Sequence, residues 1–221
     1  MNLLIVGSSS EIATELIDKL KKLKKIKIFT LSRKKNSLKN HYFFKEYNEK
    51  NFVNFKKKLK EIKFDKIIFF NGYQKFSVLS FINIQLMNKI FKINYVIPIQ
   101  IWSFLYKNQM LKNNSSCIFV GSIAAELNEV GNAYYSLAKT LLNKSVNILN
   151  QEQKKKHNFY LISLGMVKNK MSKKMIDNFP GKFKNLNSFI DTKIMINIFK
   201  KIILSKKLHK PIIKIHGKYK I

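Results

Sequence analysis

The sequence predicts an α/β fold, a doubly wound parallel sheet with helices on both faces. Three observations carry that expectation. Short apolar runs alternate almost without a break with segments whose apolar residues recur at helical spacing. Apolar residues make up 46% of the chain and aromatics 13%, enough to fill a real core. No linker, repeat or composition shift divides the 221 residues, so one domain over 1–221 is expected.

The elements follow in order. NLLIV (2–6) is a short buried strand. Residues 10–24 form a helix, with Ile12, Ala13, Leu16, Ile17, Leu20 and Leu23 at helical spacing. IKIFTLS (26–32) is a strand, followed by a loop, a short YFFKEY strand and a helix over 51–62. KIIFFNG (66–72) is a strand that ends in a turn. Residues 83–107 hold a long helix interrupted or bent near Pro98. SSCIFVGS (115–122) is a strand, 132–153 a helix, and NFYLISLG (158–165) a strand. A helix over 191–205 and a strand over 211–217 complete the alternation. In such sheets ligands sit beyond the carboxyl ends of the strands. The segments to inspect are therefore GSSSEIA, LSRKK, NGY, GSIAA and LGMVKNK.

The net charge of +31 raises the question of a nucleic-acid or membrane-surface partner. Of the 43 basic residues, 42 are lysine and only Arg33 is arginine. Ile (30) and Asn (24) are also abundant, the pattern of an AT-rich genome. Chains built to grip nucleic acid favour arginine forks. The lysines also scatter over most expected helices instead of forming one stripe. Solvated helix faces are the favoured reading and a polyanion-binding surface the minor one, with no specific nucleic-acid partner expected. The lone Cys117 cannot form an internal disulfide, which fits a reducing compartment. The first apolar run, LLIV, is too short for a signal sequence, and the longest, Ile93 to Leu105, is too short for a bilayer. A cytoplasmic protein with no membrane partner is expected. The four histidines, at 41, 157, 209 and 216, sit apart without ligand spacing, so no metal site is expected.

Three motifs carry chemistry. VGSSSEIA (6–13) lies at the first strand-to-helix turn. A helix amino terminus offers free N–H groups and a positive dipole end, so it suits a pyrophosphate. Gly7 allows the tight turn, and Ser8, Ser9 and Ser10 can cap the helix or donate to phosphate oxygens. Arg33 stands just after the second strand, followed by Lys34 and Lys35. In a dinucleotide fold this strand end meets the adenosine ribose, where a basic residue suits a 2′-phosphate. An arginine fork matches that group better than lysine does, so NADP is favoured over NAD. The third motif is GNAYYSLAKTLL (131–142). Tyr135 and Lys139 are four residues apart and share a helix face, whereas Tyr134 is followed at that distance by Ala138. A free tyrosine titrates near pH 10, and a nearby cation lowers that value. Tyr135 can then exchange a proton and Lys139 can tune it. Ser122 ends the preceding strand 13 residues before Tyr135.

With these residues the chain resembles the short-chain dehydrogenase/reductase family over nearly its whole length. YSLAK (135–139) is similar to the family's Y-S-x-A-S-K-like motif, with Ser122 at the family's serine. GSSSEIA resembles its Gly-rich turn, with Glu11 and Ala13 in place of the second and third glycines. FNG (70–72) resembles its N-A-G turn, with Phe70 and Asn71 in place of Asn-Ala, and KIN (92–94) places Asn94 at its helix asparagine. LGMVKNKM (164–171) resembles its P-G-x-V-x-T-x-M segment, with Leu164 and Asn169 in place of proline and threonine. IHG near the end resembles its last strand and turn. The aspartate that the family carries after its third strand is absent, and Tyr47 or Asn48 stands nearby. The loop of about 172–188, where the family shapes its substrate pocket, is short and basic.

The resemblance implies a Rossmann-like NAD(P)-binding fold and an oxidoreductase that interconverts a carbonyl and a secondary alcohol. It implies catalytic roles for Asn94, Ser122, Tyr135 and Lys139. Ser122 polarises the substrate oxygen, Tyr135 donates the proton in reduction, Lys139 holds the ribose and lowers the tyrosine's pKa, and Asn94 anchors a water of the proton relay. The cofactor site it implies comprises Gly7, Ser9, Ser10, Glu11, Ile12, Ser32, Arg33, Asn71, Gly72, Asn94, Tyr135, Lys139, Val167 and Asn169. The partners implied are a small-molecule substrate and a second copy of the chain, in a homodimer or homotetramer through the helices carrying Asn94 and Tyr135. A catalytically silent nucleotide-binding sensor or scaffold is the alternative, motivated by the changed glycines and the short pocket loop.

Overall fold

The computed structural model describes residues 1–154, 156–173 and 189–215. Within them lie strands β1 (Asn2–Val6), β2 (Lys27–Ser32), β3 (His41–Phe43), β4 (Phe64–Phe69), β5 (Leu111–Ser122), β6 (Asn158–Leu164) and β7 (Ile212–Ile215). The helices are α1 (Glu11–Leu20), α2 (Glu49–Leu59), α3 (Ile84–Phe91), α4 (Ile97–Lys107), α5 (Ala133–Glu152) and α6 (Thr192–Leu204). The strands form one sheet in the order β3-β2-β1-β4-β5-β6-β7, with every neighbouring pair parallel. The expected doubly wound α/β plan is the observed one.

The alternation of side chains along β1 shows why helices cover both faces. Leu4 and Val6 enter one apolar cluster, with residues of α2, α4 and α5. Leu3 and Ile5 enter the other, with residues of α1 and α6. All four are fully buried, as a central parallel strand requires. The helices start where side chains can cap them. Ser10 accepts from the Ala13 amide, Asn48 from Asn51, Asn83 from Leu86, and Asp191 from Lys193 and Ile194. The direction of winding reverses between β1 and β4, so their carboxyl ends open the crevice where ligands bind in such sheets.

The structure refines one expectation and corrects another. The helix expected over 83–107 is α3 and α4 joined by a π-helical segment, Lys92–Val96. The interruption expected near Pro98 is this segment, which ends two residues before the proline. Pro98 is the second residue of α4, where a missing N–H is tolerated. It cannot donate to the carbonyl of Asn94 four residues back, and the Ile97 amide just before it bonds Lys92 O, five residues back, in the π-helical pattern. The strand expected from residue 115 starts at Leu111, which pairs with Phe64 across a register irregularity, and Asn114 takes a positive φ of 59° in the added stretch. The last strand is described only to Ile215, and most of the expected pocket loop, 174–188, lies outside the described residues.

Candidate active site

At the end of β1, Gly7 has φ of +74°, and an added Cβ would lie 2.9 Å from the Asn71 amide nitrogen. Only glycine lets the β1 turn pack this closely on the end of β4. Ser10 caps α1 through a 3.3 Å bond from the Ala13 amide, which leaves the turn's other N–H groups at a helix amino terminus. Glu11, in place of a glycine, accepts a 3.0 Å bond from the Lys170 amide. Its carboxylate thus ties the first turn to the segment after β6.

At the end of β2, the Ser32 hydroxyl donates to Lys34 O at 2.8 Å and closes the turn that exposes Arg33. Burial raises the pKa of the half-buried Tyr47, and the Arg33 charge at the same rim offsets part of this. The position after β3 that lacks the expected aspartate therefore holds a tyrosine at the same rim.

Asn94, in the π-helical segment, is fully buried. Its Nδ2 donates to Tyr73 O at 2.7 Å and to Ile90 O at 2.8 Å, and its Oδ1 accepts from the Tyr73 amide at 3.2 Å. The side chain pins the loop after β4 and does not line the cavity below.

Ser122 closes β5, and α5 brings Tyr135 and Lys139 to it. Ser136 donates to Ala124 O, and Thr140 Oγ1 to Ala125 O at 3.0 Å, so the turn after Ser122 is fixed to α5. The Ser122 side chain acts on the Tyr135 phenol and favours its ionised form. Lys139 Nζ donates to Val120 O at 2.9 Å and lies 5.6 Å from the centre of the Tyr135 ring. Tyr134, its neighbour, is core: it is 1% exposed, and its hydroxyl accepts from the Asn83 amide at 2.8 Å.

After β6, Asn169 caps a turn of helix, with Oδ1 accepting from the Met171 and Ser172 amides at 3.0 Å each. Its Nδ2 has no partner among the described residues. Val167 is buried beside it.

These segments enclose a cavity of about 460 Å³. Gly7, Ser9, Ser10, Glu11, Ile12, Ser32, Arg33, Asn71, Gly72, Ser122, Tyr135, Lys139, Val167 and Asn169 all line it. Among the expected site residues only Asn94 does not. The lining also includes residues that sequence reasoning did not assign, notably Tyr47, Gln74, Glu129, Asn132 and Lys170. Gln74 follows the NGY turn closely, but Glu129 and Asn132 belong to a loop with no motif of its own. No cluster of three metal-ligating side chains occurs among the described residues.

The electrostatics differ from expectation. Burial pushes the Tyr135 phenol up to about 12, and the Ser122 side chain offsets this only in part. Burial pushes Lys139 down to about 7. The two are desolvated together, and Nζ points to a carbonyl, not to the phenol oxygen. In the protein alone burial sets the direction of the tyrosine's pKa.

No family model and no curated protein sequence matches the chain. Solved structures do. A short chain dehydrogenase family protein from Francisella tularensis superposes with a TM-score of 0.82 at 18% identity, over 97% of this chain and 96% of that one. A small-chain dehydrogenase in complex with NADPH gives 0.78 at 13% identity, over 98% and 97%. A 4-hydroxyisoleucine dehydrogenase complexed with NADH gives 0.76 at 16% identity, over 97% and 96%. The likeness spans whole chains, and the fold of this protein is the Rossmann-like short-chain dehydrogenase/reductase fold.

Proposed function

We propose that the protein is an NAD(P)-dependent oxidoreductase that interconverts a carbonyl and a secondary alcohol. The observation that carries the reading is the convergence of Ser122, Tyr135 and Lys139 on the 460 Å³ cavity that the Gly7 turn also lines. The cavity fits a dinucleotide. The turn from Gly7 to Ile12 supplies backbone donors at a helix amino terminus for the pyrophosphate. Val167 and Asn169, with its unpartnered Nδ2, stand at the carboxamide end. The exposed Arg33 suits a 2′-phosphate, so NADPH is the preferred cofactor.

When bound, the nicotinamide supplies or accepts the hydride at the substrate carbon. The chain's own groups handle the oxygen. Ser122 hydrogen-bonds the carbonyl oxygen and polarises it. The Tyr135 phenol, protonated at neutral pH, gives its proton to that oxygen as the alcohol forms. Lys139, held by Val120 O beneath the tyrosine ring, positions the ribose and the phenol. Asn94 acts from behind, by fixing the loop after β4.

The oligomer proposed is a homodimer or homotetramer through α5, which leaves Leu137, Leu141 and Ile148 41–45% exposed on one side. Among the described residues no helix is long and apolar enough to cross a membrane. The buried thiol of Cys117 fits a reducing compartment, and we place the protein in the cytoplasm.

Parallel fluorescence titrations with NADPH and NADH test the reading. NADPH should bind, Arg33→Ala should weaken it by about 10- to 100-fold, and NADH should change little. Tyr135→Phe should keep NADPH binding and lose carbonyl reduction by at least about 100-fold. Failure of both cofactors to bind would sink the dehydrogenase reading.

A further inference from the structure

Beside the catalytic wall, two loops meet in a short hydrogen-bonded chain. Gln74 Nε2 donates to Asn132 Oδ1 at 2.7 Å, and Asn132 Nδ2 donates to Glu129 Oε2 at 3.3 Å. All three side chains line the cavity. Chemistry fixes the direction of the chain: a carboxylate only accepts, so the Asn132 amide must face Glu129, and its oxygen must then face the Gln74 amide.

The wall is rigidly held. Ser77 N donates to Gly131 O at 3.1 Å, Ala133 N donates to Ser77 O at 3.1 Å, and Ser77 Oγ accepts from Tyr134 N at 3.1 Å. Asn132 is 3% exposed and Ser77 5%. Tyr135 lies in the first turn of the helix that starts at Ala133, so the wall and the phenol share one support.

The chain of donors ends on a carboxylate whose second oxygen, Oε1, has no partner among the described residues. No described cation pairs with Glu129, although the protein carries 43 basic residues against 12 acidic ones. The basic groups on the cavity, Arg33, Lys139 and Lys170, are not bonded to it. A half-buried carboxylate kept unpaired in so basic a protein is available to a ligand's donor.

We infer that Glu129, positioned by Asn132 and Gln74, reads the substrate, and that the substrate carries a hydrogen-bond donor, a hydroxyl or an ammonium, close to its reacting carbonyl. This rests on the oxidoreductase reading and names its substrate class. A carboxylate there disfavours a substrate with its own carboxylate next to the carbonyl, through like charge. A substrate without a donor leaves Oε1 desolvated and unpaired.

Three probes on one three-carbon skeleton test this: hydroxyacetone, aminoacetone and pyruvate. NADPH oxidation is followed with each, and binding of each is ranked by saturation-transfer NMR with and without NADPH. The donor-bearing ketones should exceed pyruvate by about tenfold or more in both readouts. Glu129→Gln keeps the bond from Asn132 but removes the charge. With melting temperature and NADPH affinity unchanged, it should cut the preference for aminoacetone over pyruvate by about tenfold if the donor is an ammonium. If the donor is a hydroxyl, the variant should instead change hydroxyacetone by a few-fold, and Glu129→Ala should remove that preference. Equal or better binding of pyruvate by the wild type, or rankings unmoved by both substitutions, would overturn the inference while leaving NADPH binding intact. Loss of the parent reading has a different signature, no NADPH binding at all, and the NMR ranking on the protein alone still decides the role of Glu129.

Discussion

Asn94→Leu should damage the protein through its fold before its chemistry. The asparagine is fully buried and makes three hydrogen bonds, two to Tyr73 backbone groups and one to Ile90 O. Each such bond contributes about 1 kcal/mol, and a buried backbone group left without a partner costs about 1–3 kcal/mol. Leucine has a similar volume, so cavity formation adds little. The Tyr73 amide and carbonyl lose their bonds, and the expected loss of stability is about 3–5 kcal/mol. In a chain of 221 residues that lowers the melting temperature by roughly 6–20 °C. Urea unfolding and thermal melting measure it directly. NADPH affinity should fall as well, because Gly72 and Gln74 flank the Tyr73 that the asparagine holds. A variant as stable as the wild type, with turnover alone abolished, would refute this and return Asn94 to a purely catalytic role.

Other substitutions and conditions give equally direct checks. Gly7→Ala places a Cβ 2.9 Å from backbone atoms of Phe70 and Asn71, on a residue with φ of +74°. It should cost about 2–4 kcal/mol in melting experiments and weaken NADPH binding; an unchanged melting point would show that the turn relaxes freely. Lys139 has a folded pKa near 7 against 10.5 for the free side chain, so the unfolded chain holds more protons between those values. Stability of the cofactor-free protein should therefore rise from pH 7 to pH 10, and Lys139→Met should flatten that rise. Burial also lowers the His41 and His157 pKa values below 6.5. Stability should then fall as pH drops below 6.5, because the unfolded chain takes up protons that the folded one resists; a rise on acidification would contradict the burial of both rings.

Much of this was legible from local chemistry. Strand and helix periods differ, so the alternation and the parallel sheet could be read from apolar spacing alone. The Gly7 turn and the Ser10 cap announce themselves because a positive φ and an orphan N–H have few solutions in residue type. Tyr135 and Lys139 share a face at i, i+4 whatever surrounds them. The π-helical segment was not legible, since Pro98 marks a helix start as readily as a break.

The sequence by itself determined the order of elements, the turns at the strand ends, and the side chains that could serve a dinucleotide and a carbonyl. The tertiary structure alone decided how those side chains behave. It buried Asn94 behind the cavity, turned Lys139 towards Val120 O, and raised the Tyr135 pKa where spacing had implied the reverse. It also joined Gln74 to Asn132, 58 residues further along the chain, and through Asn132 to Glu129. Spacing along a helix or strand fixes which groups can meet, but desolvation and long-range hydrogen bonds depend on what packs around them, and that is a property of the assembled core.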